Sequence, residues 1–229
     1  MAGRMPEFAD FTFAEKLYMG LANVERIFIA ELDPVYCVVA AVLVLLVYRK
    51  TGDYRKTLLA GIPALLLFGQ AVVRVSHPSL KKVFVRPEQT THWDWHALVT
   101  YMPLVFLVLS VWGILYALWQ LADGVWKHYL WTAFLLAGGF AMGVVMGFSP
   151  TIYASANRPY LYLYFVLIYV CADAVWNMGG MKAVWKTGSS DAVRKMPVPE
   201  KLMFTVLGLL VLANILDVTR MCWLLGRIL

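Results

Sequence analysis

Long runs of apolar residues separated by short polar joints set the pattern of this chain. Runs of about twenty apolar residues match the hydrocarbon thickness of a bilayer crossed by a helix, and they predict spans at about 34–48, 57–76, 97–122, 128–148, 159–176 and 201–225. The first is short for a span unless residues 29–33 extend it. Pro63 is expected to bend the second, and Pro103 lies near the start of the third. Residues 7–32 read differently. Phe8, Phe11, Leu17, Tyr18, Leu21, Ile27 and Phe28 alternate with Asp10, Glu15, Lys16, Glu25 and Arg26 at helical spacing. This segment is expected to lie along the membrane surface as an amphipathic interfacial helix, with a helix packed on the loops as the alternative. The expected fold is all-α: a single polytopic membrane domain over residues 1–229, with about six transmembrane helices behind that N-terminal helix.

Composition agrees with this division. Of 229 residues, 61% are hydrophobic and 15% charged, against about half and about a quarter in soluble domains, and no polar stretch is long enough for a separate core. The net charge of +6 therefore gives no sign of nucleic-acid binding, because most basic residues flank apolar runs, where they orient spans and attract anionic lipid. Arg49, Lys50, Arg55 and Lys56 crowd one short loop, which favours the face carrying it as cytoplasmic. Residues 123–127 form a tight turn that predicts an antiparallel hairpin of spans three and four. Residues 137–143, rich in Gly and Ala, predict close approach by another helix. Cys37, Cys171 and Cys222 lie inside apolar runs and form no metal or redox motif.

The candidate chemistry lies in the joints and in the few intramembrane charges. Residues 147–159, between spans four and five, contain Ser149, Tyr153, Ser155, Asn157 and Arg158, followed by Pro159 at a helix start. A cation, hydroxyl donors and the positive end of a helix dipole favour a phosphate there, and an ordinary anchor to lipid headgroups is the simpler reading. Asp173 in span five, with Asp217 and Arg220 in span six, are intramembrane ionisable residues. They read as a transport path or as internal pairs with Asn177 and Asn214. His92, Asp94 and His96 alternate, so an extended backbone would point all three one way and allow a metal. Trp93 and Trp95 between them favour an interfacial aromatic belt. No cofactor is expected: no intramembrane lysine offers a Schiff base for retinal, and no paired histidines offer haem ligation.

The joint Phe148-Ser149-Pro150-Thr151-Ile152-Tyr153-Ala154-Ser155-Ala156-Asn157-Arg158-Pro159, followed by an aromatic-rich span, resembles the C-terminal membrane portion of bacterial C-type glycosyltransferase-like proteins, including those that glucosylate O-antigen. The Phe13-Ala14-Glu15-Lys16-Leu17 segment, the basic loop and the Pro63-bearing span are similar too. The resemblance implies a bacterial inner-membrane protein that uses a polyprenyl-phosphate-linked sugar at the outer face, with Arg158 near the lipid phosphate. Such enzymes are longer and carry their catalytic acid in a first outer loop after an N-terminal span. This chain matches their C-terminal half or a reduced relative. The only carboxylates it offers for that role in the amphipathic segment are Asp10 and Glu15. A small ion or solute transporter and a non-catalytic scaffold subunit remain the alternatives, and the expected partners are membrane lipids, a polyprenyl-phosphate-linked substrate and other membrane subunits.

Overall fold

The computed structural model describes residues 6–76, 98–122, 124–150 and 160–177. Every regular element among them is a helix. After a 3-10 turn at Pro6–Asp10 come α1 (Phe13–Glu25), a π-helical turn (Arg26–Ala30), α2 (Pro34–Thr51), α3 (Tyr54–Ala60) and α4 (Ile62–Ser76). Then follow α5 (Leu98–Leu121), α6 (Trp126–Val145) with a 3-10 turn at Met146–Phe148, and α7 (Leu161–Asn177). Among the described residues, three segments are long and apolar enough to cross a membrane: Pro34–Thr51, Tyr101–Leu121 and Trp126–Phe148. Large apolar side chains such as Phe68, Val108, Phe134 and Phe165 point outward and stay more than half exposed. Water would penalise such a surface and lipid does not, so the chain is a membrane protein.

Local chemistry explains the limits of the helices. The α2 helix starts on an Asp-Pro pair: an Asp33 carboxylate oxygen accepts the Tyr36 N–H at 3.0 Å, and Pro34, with no N–H to leave unpaired, opens the first turn. It ends at Gly52, whose φ of 60° suits glycine, and Arg49 and Lys50 in its last turn complement the helix dipole. Gly124, with φ 75°, closes the turn between α5 and α6, where the Val125 N–H donates to the Ala122 carbonyl.

The apolar run at 57–76 is not one bent helix. It breaks at Gly61 into α3 and α4. Pro63 stands second in α4, where its missing N–H removes no helical hydrogen bond, and its ring packs onto Gly113 of α5. The apolar part of α4, Ile62–Val72, is shorter than the three spanning segments. The run predicted at 201–225 lies outside the described residues.

The chain divides into two compact units, Met1–Val170 and Cys171–Leu229. In the first, α1 packs on α5, α6 and the 3-10 turn after α6, while α2 packs on α3, α4 and α5. Phe13 and Leu17 are exposed, but from Tyr18 to Ala30 nearly every residue is buried. The apolar face of this segment is therefore covered by protein. Glycines make the fit: a side chain at Gly20 would collide with the Val144 carbonyl, and one at Gly147 with the Lys16 carbonyl. The Gly-rich part of α6 is filled as its composition predicts, Gly143 by Val24 and Tyr160, and Gly139 by Leu163 and Val166. In the second unit the described residues are the last turns of α7, where Asn177 Nδ2 donates to Asp173 Oδ1 at 3.1 Å.

Candidate functional site

The densest polar grouping among the described residues lies where α1 passes through the π-turn into α2. It arises from a change of helical pitch. In the π-turn the Glu31 N–H donates to the Arg26 carbonyl, five residues back, at 2.8 Å. That wider turn brings residues five apart onto one side, whereas an α-helix would align those three or four apart. Arg26 therefore meets Glu31, Nη1 to Oε1 at 3.2 Å, while its Nε donates to Asn23 Oδ1 at 2.9 Å. Leu32 then takes φ 57°, a left-handed conformation that is costly for leucine, and reverses the chain into Asp33.

Helix α7 completes the cluster. Tyr164 Oη donates to Asp33 Oδ2 at 2.7 Å, so Asp33 caps α2 with one oxygen and receives α7 with the other. Asn23 Nδ2 donates to Tyr160 Oη. Phe28 lies between these contacts, its ring 5.0 Å from Tyr164, 6.0 Å from Tyr36 and 6.2 Å from Tyr160. Below them the Tyr36 and Ser110 hydroxyls share a hydrogen bond between α2 and α5. Burial raises the Asp33 carboxyl above its usual range, and the bonds from the Tyr36 N–H and Tyr164 hydroxyl oppose that rise.

Glu25 differs from its neighbours. Its side chain is 2% exposed, and no hydrogen bond or ion pair to its carboxyl is found among the described residues. Burial pushes that carboxyl up to about 8. Tyr18, two turns earlier on α1, is pushed up to about 12 by burial and by the nearby Glu25 charge.

The residues singled out from sequence distribute unevenly over this arrangement. Glu15 is a helix cap: its Oε2 accepts the Thr12 N–H at 2.7 Å and the Thr12 hydroxyl at 2.8 Å, while Thr12 Oγ1 accepts the Glu15 N–H. Oε2 and the backbone N–H of Glu15 thus complete a capping box at the start of α1. Asp10 is exposed at the end of the first 3-10 turn. Ser149 ends the turn after α6, its N–H donating to the Met146 carbonyl at 3.0 Å. Asp173 is held by Asn177 as described. Tyr153, Ser155, Asn157 and Arg158, the His92, Asp94 and His96 triplet, and Asp217 and Arg220 lie outside the described residues. Among the described residues no cluster of His, Cys, Asp and Glu is arranged to hold a metal ion.

Sequence reasoning passed over Glu25, Glu31 and Asp33. The signals were an acid and base paired at Glu25-Arg26 beside the unbroken apolar run Ile27–Ala30, and an Asp-Pro helix start following at once. No protein-family model, curated protein or solved structure matches the chain.

Proposed function

We propose that this protein binds a phosphate-bearing, lipid-linked substrate at the outer face of the bacterial inner membrane, as a reduced relative of the polyprenyl-phosphate-sugar glycosyltransferases. The single observation that carries this reading is the cluster at the start of α2, completed by Tyr160 and Tyr164. In sequence Tyr160 follows Arg158 by two residues, so the chain tethers the one basic residue of the joint to a group of carboxylates. The phosphate falls to Arg158 and to the hydroxyl and amide donors of the joint, through charge-assisted hydrogen bonds. Glu31, the more exposed partner of the Arg26 ion pair, is the carboxylate that a sugar or acceptor hydroxyl would meet first.

The topology that goes with this reading has six spans, with the exposed edge of α1 at the outer interface. Lys50 Nζ donates to the Leu121 carbonyl at 2.7 Å, which sets the basic loop beside the turn between α5 and α6. The loop is thus at the far end of α2 from the cluster, an 18-residue helix about 27 Å long. Basic residues inside and the cluster outside follow from the charge bias of membrane loops. The hydrogen bond between Asp173 and Asn177 speaks for a packing role at that position rather than for a transport path.

The test is binding of polyprenyl phosphate to the protein in lipid nanodiscs. Arg158→Ala is expected to weaken it by about tenfold, equivalent to about 1.4 kcal/mol, and Ser149→Ala by less. Equal affinity in parent and Arg158→Ala would remove the reading.

A further inference from the structure

Among the described residues, Glu25 is the one carboxyl near the π-turn for which no partner is found. Asp33 is engaged by Tyr36 and Tyr164, and Glu31 by Arg26. Among the described residues, no charged group pairs with the Glu25 carboxyl. The α5 helix carries no Asp, Glu, Lys, Arg or His, and its titratable residues are Tyr101 and Tyr116. The α6 helix carries none beyond Lys127, His128 and Tyr129 in its first turn, at the end away from α1, which packs on the final turns. Tyr160, just ahead of α7, and Tyr164 of α7 face the same region. On its own helix Glu25 has Tyr18 and Arg26, and the turn beyond supplies Glu31 and Asp33.

An ionised carboxylate in such a place costs several kcal/mol when unpaired, while the neutral acid keeps one donor and one acceptor. The packed arrangement therefore belongs to the protonated form. Its position adds a second observation: the residue is the last of α1, at the junction with the π-turn, and π-turns within helices concentrate at functional sites.

We infer that Glu25 is a proton-binding site, which holds a proton while the cluster is closed as described and releases it when the surroundings of α1 open. The step is a simple dissociation: the carboxyl O–H breaks, the proton passes to water, and a carboxylate remains on Glu25. The inference stands whether the cluster serves a lipid phosphate or another ligand.

Infrared spectroscopy of the purified protein in an ester-free detergent, with lipid removed, tests it, because among protein groups only a protonated carboxylic acid shows the high-frequency carbonyl stretch. The parent is expected to show that band at neutral pH and to lose it as pH passes about 8. Glu31→Gln and Asp33→Asn should retain the band, and Glu25→Gln should lack it. A parent without the band at neutral pH, or a band that persists in Glu25→Gln, overturns the inference. If Glu25→Gln does not fold, isotope-labelled glutamate in the parent decides: the band must shift, and a band unmoved by that label overturns the assignment.

Discussion

The two ends of α2 carry similar residue types under opposite conditions. At its start, Asn23, Arg26, Glu31, Asp33, Tyr160 and Tyr164 are linked to one another by hydrogen bonds and an ion pair, with Asn23 and Tyr160 fully buried. At its finish, Tyr48, Arg49, Tyr54, Arg55, Lys56 and Trp126 are exposed, and the aromatic rings of Trp119, Trp126 and Tyr129 stack edge to face. The first end, Glu25 excepted, satisfies its buried polar groups within the protein. The second can leave that to water and lipid headgroups. Substitutions should therefore be severe at the start of α2 and mild at its finish.

The largest break in this contrast should come from Glu25. Because folding raises its carboxyl from 4.5 to about 8, the folded state holds a proton that the unfolded state has lost. The stability it allows is fully present below about pH 4.5 and is lost as pH rises through about 8. Glu25→Gln, which mimics the protonated acid, should match the parent in acid. Above pH 8 it should be the more stable by a few kcal/mol, from about 1.4 kcal/mol per unit of difference. Thermal unfolding in detergent across this range checks it, and parallel curves at all pH values would show that Glu25 is not the buried acid.

A smaller effect tests the seating of α1. Gly147→Val forces a side chain against the Lys16 carbonyl, with an expected loss of about 1–3 kcal/mol from overpacking. Gly138→Val in α6, where nothing stands near the added atom, is the control and should change the melting temperature far less. Equal losses at the two positions would mean that α1 is not seated on the end of α6.

The mildest changes belong to the finish of α2. Lys50→Met removes the bond to the Leu121 carbonyl and should cost about 1 kcal/mol. Arg55→Gln, on an exposed side chain, should stay within about 0.5 kcal/mol. If Arg55→Gln unfolds the protein in the same assay, the two ends are not the different environments described.

Much of the helical layout could be read from the chain. The apolar lengths located the spanning segments at α2, α5 and α6, because a bilayer requires a run of a certain length whatever packs against it. Gly52 and Gly124 marked the turns after Thr51 and Leu121. The run at 57–76 misled because hydrophobicity measures preference for lipid and not helix continuity, and Gly61 broke the helix just ahead of the proline. The cluster was harder to see. Glu25 and Arg26 looked like the polar face of a surface helix, since periodicity shows which residues share a side but not whether protein or water covers it.

The sequence by itself determined that this is a helical membrane protein and where the apolar runs of α2, α5 and α6 lie. Those properties depend on local composition and on neighbours along the chain. Only the tertiary structure decided that Tyr160 and Tyr164 meet Asn23 and Asp33 across more than a hundred residues. It alone decided, too, that Glu25 is sealed from solvent without a partner. Burial and pairing depend on which helices come together, and glycines at Gly20, Gly143 and Gly147 allow α1 close enough for that to happen.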